Sequence, residues 1–165
     1  MNPNYPRIGY AMDAPSQNFL DTCLFFNTNA FARNLGKLAD AAFKGLGLSS
    51  AHASLLLLVY ETPGINPKDL SRLMQLNPST ITRFIDALVK KKLLKKQAHG
   101  KQAFIHPTQK SLDLKPKVAS AYKSFILQYS TLLGREEAPH LSLRIARANG
   151  RVQEALAATQ NDENL

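Results

Sequence analysis

The sequence has one cysteine and no tryptophan in 165 residues. A lone thiol, Cys23, excludes an internal disulfide framework and a cysteine-built metal cluster, and it fits a reducing cytoplasm. Long apolar runs are missing too. The longest purely aliphatic stretch, Leu55 to Val59, falls far short of the about 20 residues that cross a bilayer, so no membrane partner is expected. The opening "MNPNYPRIGYAMDAPSQ" has no charged-then-apolar order and does not read as a signal peptide. No Walker loop or dinucleotide glycine pattern occurs. Ser120 to Lys123 has the S-x-x-K spacing of some serine acylases, but its S-D-N and K-T-G companions are absent. His52, His99, His106 and His140 show no metal-ligand spacing. Nothing here points to an enzyme, a metal or a cofactor.

Acidic residues are scarce where basic ones gather. Between Asn66 and Lys117, twelve Lys/Arg stand against three acids, Asp69, Asp86 and Asp113. That surplus of nine equals the formal net charge of the whole chain, +9, so the flanking arms cancel. Charge concentrated in this way is the electrostatic footprint of a polyanion binder, whereas a merely solvated lysine-rich surface would spread it. The composition is otherwise globular, 44% apolar and 20% charged. The length suits one domain, or a small domain with extra dimerising helices.

Pro3, Pro6 and Pro15 oppose helix, so residues 1–15 read as an extended arm. A dimerisation segment follows over residues 16–45, with Ser16 capping a helix that runs to about Phe43. Leu20, Leu24, Phe31, Leu35, Leu38 and Ala42 form one apolar line on it, and Phe19, Cys23, Phe26 and Ala30 a second. So broad a face calls for burial against a second copy. Cys23 has acidic Asp21 nearby and no base, which favours a structural thiol over a redox sensor.

Residues 46–107 read as a compact unit. Gly45 to Ser50 is a break and a cap, and Ser50 to Thr62 is a buried helix stopped by Pro63-Gly64. Asn66-Pro67 and Asn77-Pro78 are two helix caps with proline at the first helical position. Leu70, Leu73 and Met74 form the inward face of a short helix ending near Leu76, and a second helix over residues 78–91 follows a tight turn. Leu93 to Ala98 and Ala103 to Pro107 read as two strands turning around His99-Gly100. Residues 108–158 read as C-terminal dimerisation helices, the first kinked or restarted at Pro116, the second from Ala138 to Ala158. Residues 159–165 read as a frayed tail.

The helix over residues 78–91 has two distinct sides. Ile81, Phe84, Ile85 and Leu88 fall within one arc, and Ser79, Arg83, Asp86, Ala87 and Lys90 lie opposite, with Thr80 and Thr82 on the shoulders. One side docks, and the other is slim at its start and basic at its end. A slim face can approach the floor of the about 12 Å wide major groove. Hydroxyls can bond to phosphate or base edges, arginine can grip guanine with two hydrogen bonds, and the helix N-terminus attracts phosphate. The lysines from Lys90 to Lys96, and Lys101, can reach the backbone on either side.

The stretch "PGINPKDLSRLMQLNPSTITRFIDALVKKKLLKK", Pro63 to Lys96, resembles the winged helix-turn-helix of MarR-type transcriptional regulators. The likeness extends over the order of elements from about Leu20 to Leu156. It implies a mainly α fold: a winged helix-turn-helix with a two-stranded β-wing, and long N- and C-terminal dimerisation helices. It implies recognition-helix contacts from Ser79, Thr80, Thr82 and Arg83 and a wing contact from Lys101. Asn77, Lys90, Lys95 and Lys96 complete the expected DNA-binding set. His99-Gly100-Lys101 stands where the family often has Asp-x-Arg, which keeps the charge and loses the guanidinium fork. The implied function is that of a cytoplasmic homodimer binding a pseudo-palindromic operator in double-stranded DNA. Repression released by a small aromatic or anionic effector is the usual family behaviour. The alternative is a winged-helix interaction module docking on an acidic protein.

Overall fold

Side-chain caps at Ser49, Asn66 and Thr108 set three of the helix starts in the computed structural model, which describes residues 19–100 and 102–162. The arm expected over residues 1–15, the Ser16 cap and the wing-tip Lys101 lie outside the described residues. The order is α1 (Phe19–Thr22), α2 (Leu24–Phe43), a 3-10 turn (Lys44–Leu46), α3 (Ser50–Glu61), α4 (Pro67–Met74), α5 (Pro78–Lys90), β1 (Leu94–His99), β2 (Gln102–Pro107), α6 (Gln109–Leu133) and α7 (Glu137–Asp162). This is the mainly helical winged helix-turn-helix that the sequence implies. Among the described residues, no single helix is long and apolar enough to cross a membrane.

The core forms around α3, where Ala53, Leu55, Leu56 and Val59 are fully buried. Phe43, Leu70, Ile85, Leu94, Ile105 and Val118 reach it from the surrounding elements. Burying each large side chain contributes roughly 1.5–3 kcal/mol. Tyr60 ties α3 to α6: its hydroxyl donates to the Ser111 carbonyl at 2.8 Å and lies 2.9 Å from the Ser111 hydroxyl. The wing pairs from Leu94 opposite Pro107 to His99 opposite Gln102. Its turn uses the positive φ of Gly100, at 60°. At the base, Ile65 bridges to Ile105, and the Ile105 N–H donates to the Ile65 carbonyl at 3.0 Å. The hairpin is thereby stitched to the segment between α3 and α4.

Several boundaries differ from the sequence reading. The first long helix is interrupted at Cys23, whose backbone is extended (φ −75°, ψ 109°). Asn66 caps α4 as expected, accepting from the Asp69 N–H at 2.8 Å, but Asn77 makes no side-chain cap bond at α5. The turn between them opens at Gln75, which takes a left-handed conformation (φ 53°), so α4 ends at Met74 and not near Leu76. Leu73 points outward and is 49% exposed, unlike its inward neighbours Leu70 and Met74. The second reader helix closes at Lys90, one residue short of the expected 91. α6 continues through Pro116 without a restart, and α7 runs to Asp162, past the expected end at Ala158.

Candidate nucleic-acid interface

α4 and α5 are joined by a turn of three residues, and the packing of α5 decides what it shows to solvent. Ile81, Ile85 and Leu88 are buried, and Phe84 packs beside them. That stripe clamps α5 on the core, and the residues between face outward. Ser79, Thr82, Arg83, Asp86 and Lys90 are exposed, Thr80 is half-buried, and Asn77 stands exposed at the entry. A positive helix end and three hydroxyls therefore share the slim part of an outward face.

Each side chain has its own freedom there. Because Asn77 spends no hydrogen bond on capping, its amide is available outward. Thr82 donates its hydroxyl proton to the Pro78 carbonyl at 2.9 Å, which leaves its lone pairs to accept from a partner's N–H. Arg83 makes no ion pair among the described residues, although Asp86 lies one turn away. Asp86 instead pairs with Lys96 of β1. This link was not legible in the sequence, since the partners are ten residues apart on different elements. It joins the reader helix to the wing and spares the guanidinium.

The lysines divide into two groups. Lys95 and Lys96 lie exposed on β1, on the wing. Lys90, Lys91 and Lys92 cluster instead at the C-terminal end of α5, where Lys92 adopts a positive φ of 59°. Lys110 of α6 joins them, donating to the Lys91 carbonyl at 3.1 Å. At about 1.5 Å per residue, Lys91 sits roughly 18 Å along the axis from Ser79. The structure thus brings Asn77, Ser79, Thr80, Thr82 and Arg83 together at one end and Lys90 at the other. The Gln75 side chain accepts from Asn149 of α7 at 2.7 Å, a contact between the reader's turn and the last helix that no local pattern announces.

Behind α5, His52 packs its ring 5.1 Å from that of Phe84. Its Nδ1 lies 2.8 Å from the Ser49 hydroxyl, while Nε2 is buried without a hydrogen-bond partner. Burial, and then the positive charge of Lys91, hold its pKa below the ordinary imidazole value. Cys23 is half-buried at the break between α1 and α2.

Residues 48–101 match the MarR family model. No curated protein matches the chain. Among solved structures, the M. tuberculosis transcriptional regulator MosR is 23% identical, with a TM-score of 0.72 over 82% of this chain and 98% of its own. The S. aureus MepR–DNA complex is 14% identical, with a TM-score of 0.69 over 78% of this chain and 97% of its own. A MarR family regulator from Listeria monocytogenes, complexed with 26mer DNA, is 20% identical, with a TM-score of 0.67 over 79% and 89%. Over residues 48–101 the chain is thus similar to the MarR family, and its fold is the winged-helix fold of these solved structures.

Proposed function

We propose that the chain is a homodimeric DNA-binding transcriptional regulator, a repressor that responds to a small molecule and binds a pseudo-palindromic operator. The observation that carries this reading is the outward face of α5: Asn77, Ser79, Thr82 and Arg83 are uncovered and backed by a buried apolar stripe. Two of the structural neighbours are DNA complexes by their descriptions. In the reading, Ser79, Thr80, Thr82 and Arg83 meet base edges and phosphate, Asn77 and Lys90 flank them, and Lys95, Lys96 and Lys101 follow the backbone from the wing.

The exposed apolar side chains support the dimer. Leu24 and Phe25 are 78% and 79% exposed at the start of α2, and Leu132 is 71% exposed near the end of α6. Val152 and Leu156 are likewise exposed on α7. A surface of this kind is at rest only against another apolar surface, and a second copy supplies the same one in return. Two reader helices would then enter successive major grooves about 10–10.5 base pairs apart. A cavity of about 290 Å³ among α2, α6 and α7 is lined by Phe31, Tyr122, Phe125 and Tyr129. It suits the aromatic body of an effector, and a ligand that prefers one dimer geometry shifts the population toward it.

A gel shift with DNA flanking the chain's own gene, paired with sedimentation, tests the reading. A retarded band that survives non-specific competitor and a mass of twice the protomer are expected. No retardation at low salt overturns it in favour of docking on an acidic protein.

A further inference from the structure

The reader unit, residues 48–107, is held to the long helices in two different ways. At the base of the wing the Thr108 hydroxyl donates to the Lys92 carbonyl at 2.8 Å, and inside the core Tyr60 is hydrogen-bonded to Ser111. Along α4 the arrangement differs. α4 packs on α3, α5 and β2, and a groove of about 480 Å³ lies between its Leu73 and Met74 and Tyr122 of α6. Leu73 and Tyr122 are both exposed on its walls. Among the described residues, one hydrogen bond joins α7 to the reader unit: the Asn149 amide donates to the Gln75 side-chain oxygen at 2.7 Å. Gln75 holds a left-handed conformation (φ 53°) in which glycine is the unstrained choice. Glycine would end α4 equally well and could not reach α7. The strain is thus kept at a residue whose side chain bridges to the last helix.

We propose that Asn149 is a positioning residue for the recognition helix, acting through Gln75 as a latch that fixes the tilt of the reader unit against the C-terminal helices. The turn is built to pass that restraint on. Leu76 donates its N–H to the Ser71 carbonyl at 3.1 Å, and the Ser71 hydroxyl donates to the Leu76 carbonyl. Gln75 donates its own N–H to the carbonyls of Ser71 and Arg72. α5 begins three residues after Gln75, at Pro78. With the latch closed, the wing base and the turn are both anchored, and α5 has one orientation. With it open, the reader unit pivots on the wing base, and the groove beside α4 changes width. A single exposed hydrogen bond is weak enough to open and directional enough to select one tilt. The consequence for DNA rests on the regulator reading above, while the latch itself does not.

Two measurements on the full chain test the latch. Spin labels at Lys68→Cys on α4 and Arg144→Cys on α7, both exposed positions, report the distance between the two helices without DNA. The labelled chain carries Cys23→Ser and is diluted with unlabelled chain. Asn149→Ala should broaden the distance distribution. The exchanged pair Gln75→Asn/Asn149→Gln, which keeps the combined reach, should narrow it again. In gel shifts with the DNA flanking the chain's own gene, Asn149→Ala should weaken binding by about two- to tenfold, the contribution of one hydrogen bond. It should also flatten the loss of affinity caused by adding one base pair at the centre of the bound site. The urea midpoint should stay where it is in the wild type, and the exchanged pair should regain both DNA properties. A distance distribution unchanged by Asn149→Ala overturns the latch, and so does a broadened one with DNA binding unaltered. A loss of affinity that comes with a lower urea midpoint and is not rescued by the exchange makes the residue merely structural, and overturns it too. If the distances behave as described and no variant or wild type binds DNA, the latch stands and the regulator reading falls.

Discussion

Arg83 is the exposed cation nearest the start of α5, and the nearest acid on its own helix is committed elsewhere, to Lys96. A guanidinium left free on a slim face is suited to two-pronged contact with guanine. Arg83→Ala should cost about 1–3 kcal/mol in operator binding and relax preference at one base position. Affinities for a set of single-base operator variants check this, and uniform weakening assigns the residue to phosphate instead. His52 leads to a pH dependence. Its folded pKa lies below the ordinary value of 6.5, so the unfolded chain takes up the proton first as pH falls. Its contribution to stability is present above pH 6.5 and is lost as pH falls from there through the folded pKa. The Ser49 hydroxyl is engaged at Nδ1 and at the His52 N–H, the Phe84 ring and the Lys91 ammonium offer no lone pair, and Nε2 is buried without a hydrogen-bond partner. Urea midpoints should therefore drop on acidification in the wild type, and His52→Gln should flatten that slope.

At the scale of elements, two Asn-Pro starts that look alike in sequence behave differently. Asn66 accepts the Asp69 N–H, and its amide also donates to the Asp69 carboxylate at 2.7 Å. Asn66→Ala should therefore cost about 1 kcal/mol of stability, in keeping with a lost cap. Asn77→Ala should leave the denaturation midpoint nearly unmoved, since no cap bond is lost. The link between α5 and β1 offers a second contrast. Asp86 and Lys96 are both largely exposed, so the pair adds only about 0–1 kcal/mol to folding. Asp86→Asn should leave stability almost unchanged, tighten DNA binding, and steepen the salt dependence by about one released counterion as Lys96 comes free. Titration of affinity against salt in both proteins checks it.

These contrasts also mark where the sequence could be read and where it could not. Helix starts at Ser49, Asn66 and Thr108, the buried arc of α5 and the hairpin at Gly100 are local matters, set by neighbours within a few residues. The break at Cys23 carries no glycine or proline, and the left-handed Gln75 occupies a place where glycine is the usual signal, so neither announces itself. Pro116 sits inside α6 and does not stop it. Lys110 comes from α6 to join the lysines at the end of α5, and only folding brings them together. Likewise the Asp86–Lys96 pair depends on where the wing comes to rest. The identity of the outward residues was legible, and their partners were not.

For the whole molecule, the surplus charge of residues 66–117 decides the response to salt. If a dimer neutralises roughly 6–10 phosphates, affinity for DNA should fall about 10³–10⁵-fold between 50 and 200 mM salt. A flat response in a binding titration counts against DNA as the partner. The exposed apolar side chains of α2, α6 and α7 bear on the other global property, association, because a lone protomer leaves them in water. The near end of α6 is fastened to the base of the wing, with the Thr108 hydroxyl donating to the Lys92 carbonyl at 2.8 Å and its N–H to Leu93 at 3.1 Å. From that fastening the helix runs 25 residues without interruption, a lever roughly 37 Å long at about 1.5 Å per residue. A tilt of about 5° at its distant end would carry the hairpin through roughly 3 Å, close to the roughly 3.4 Å rise of one nucleotide. If the chain acts as the proposed dimer on DNA, such gearing would let a slight change in how two copies lean on each other put it in or out of step with a duplex.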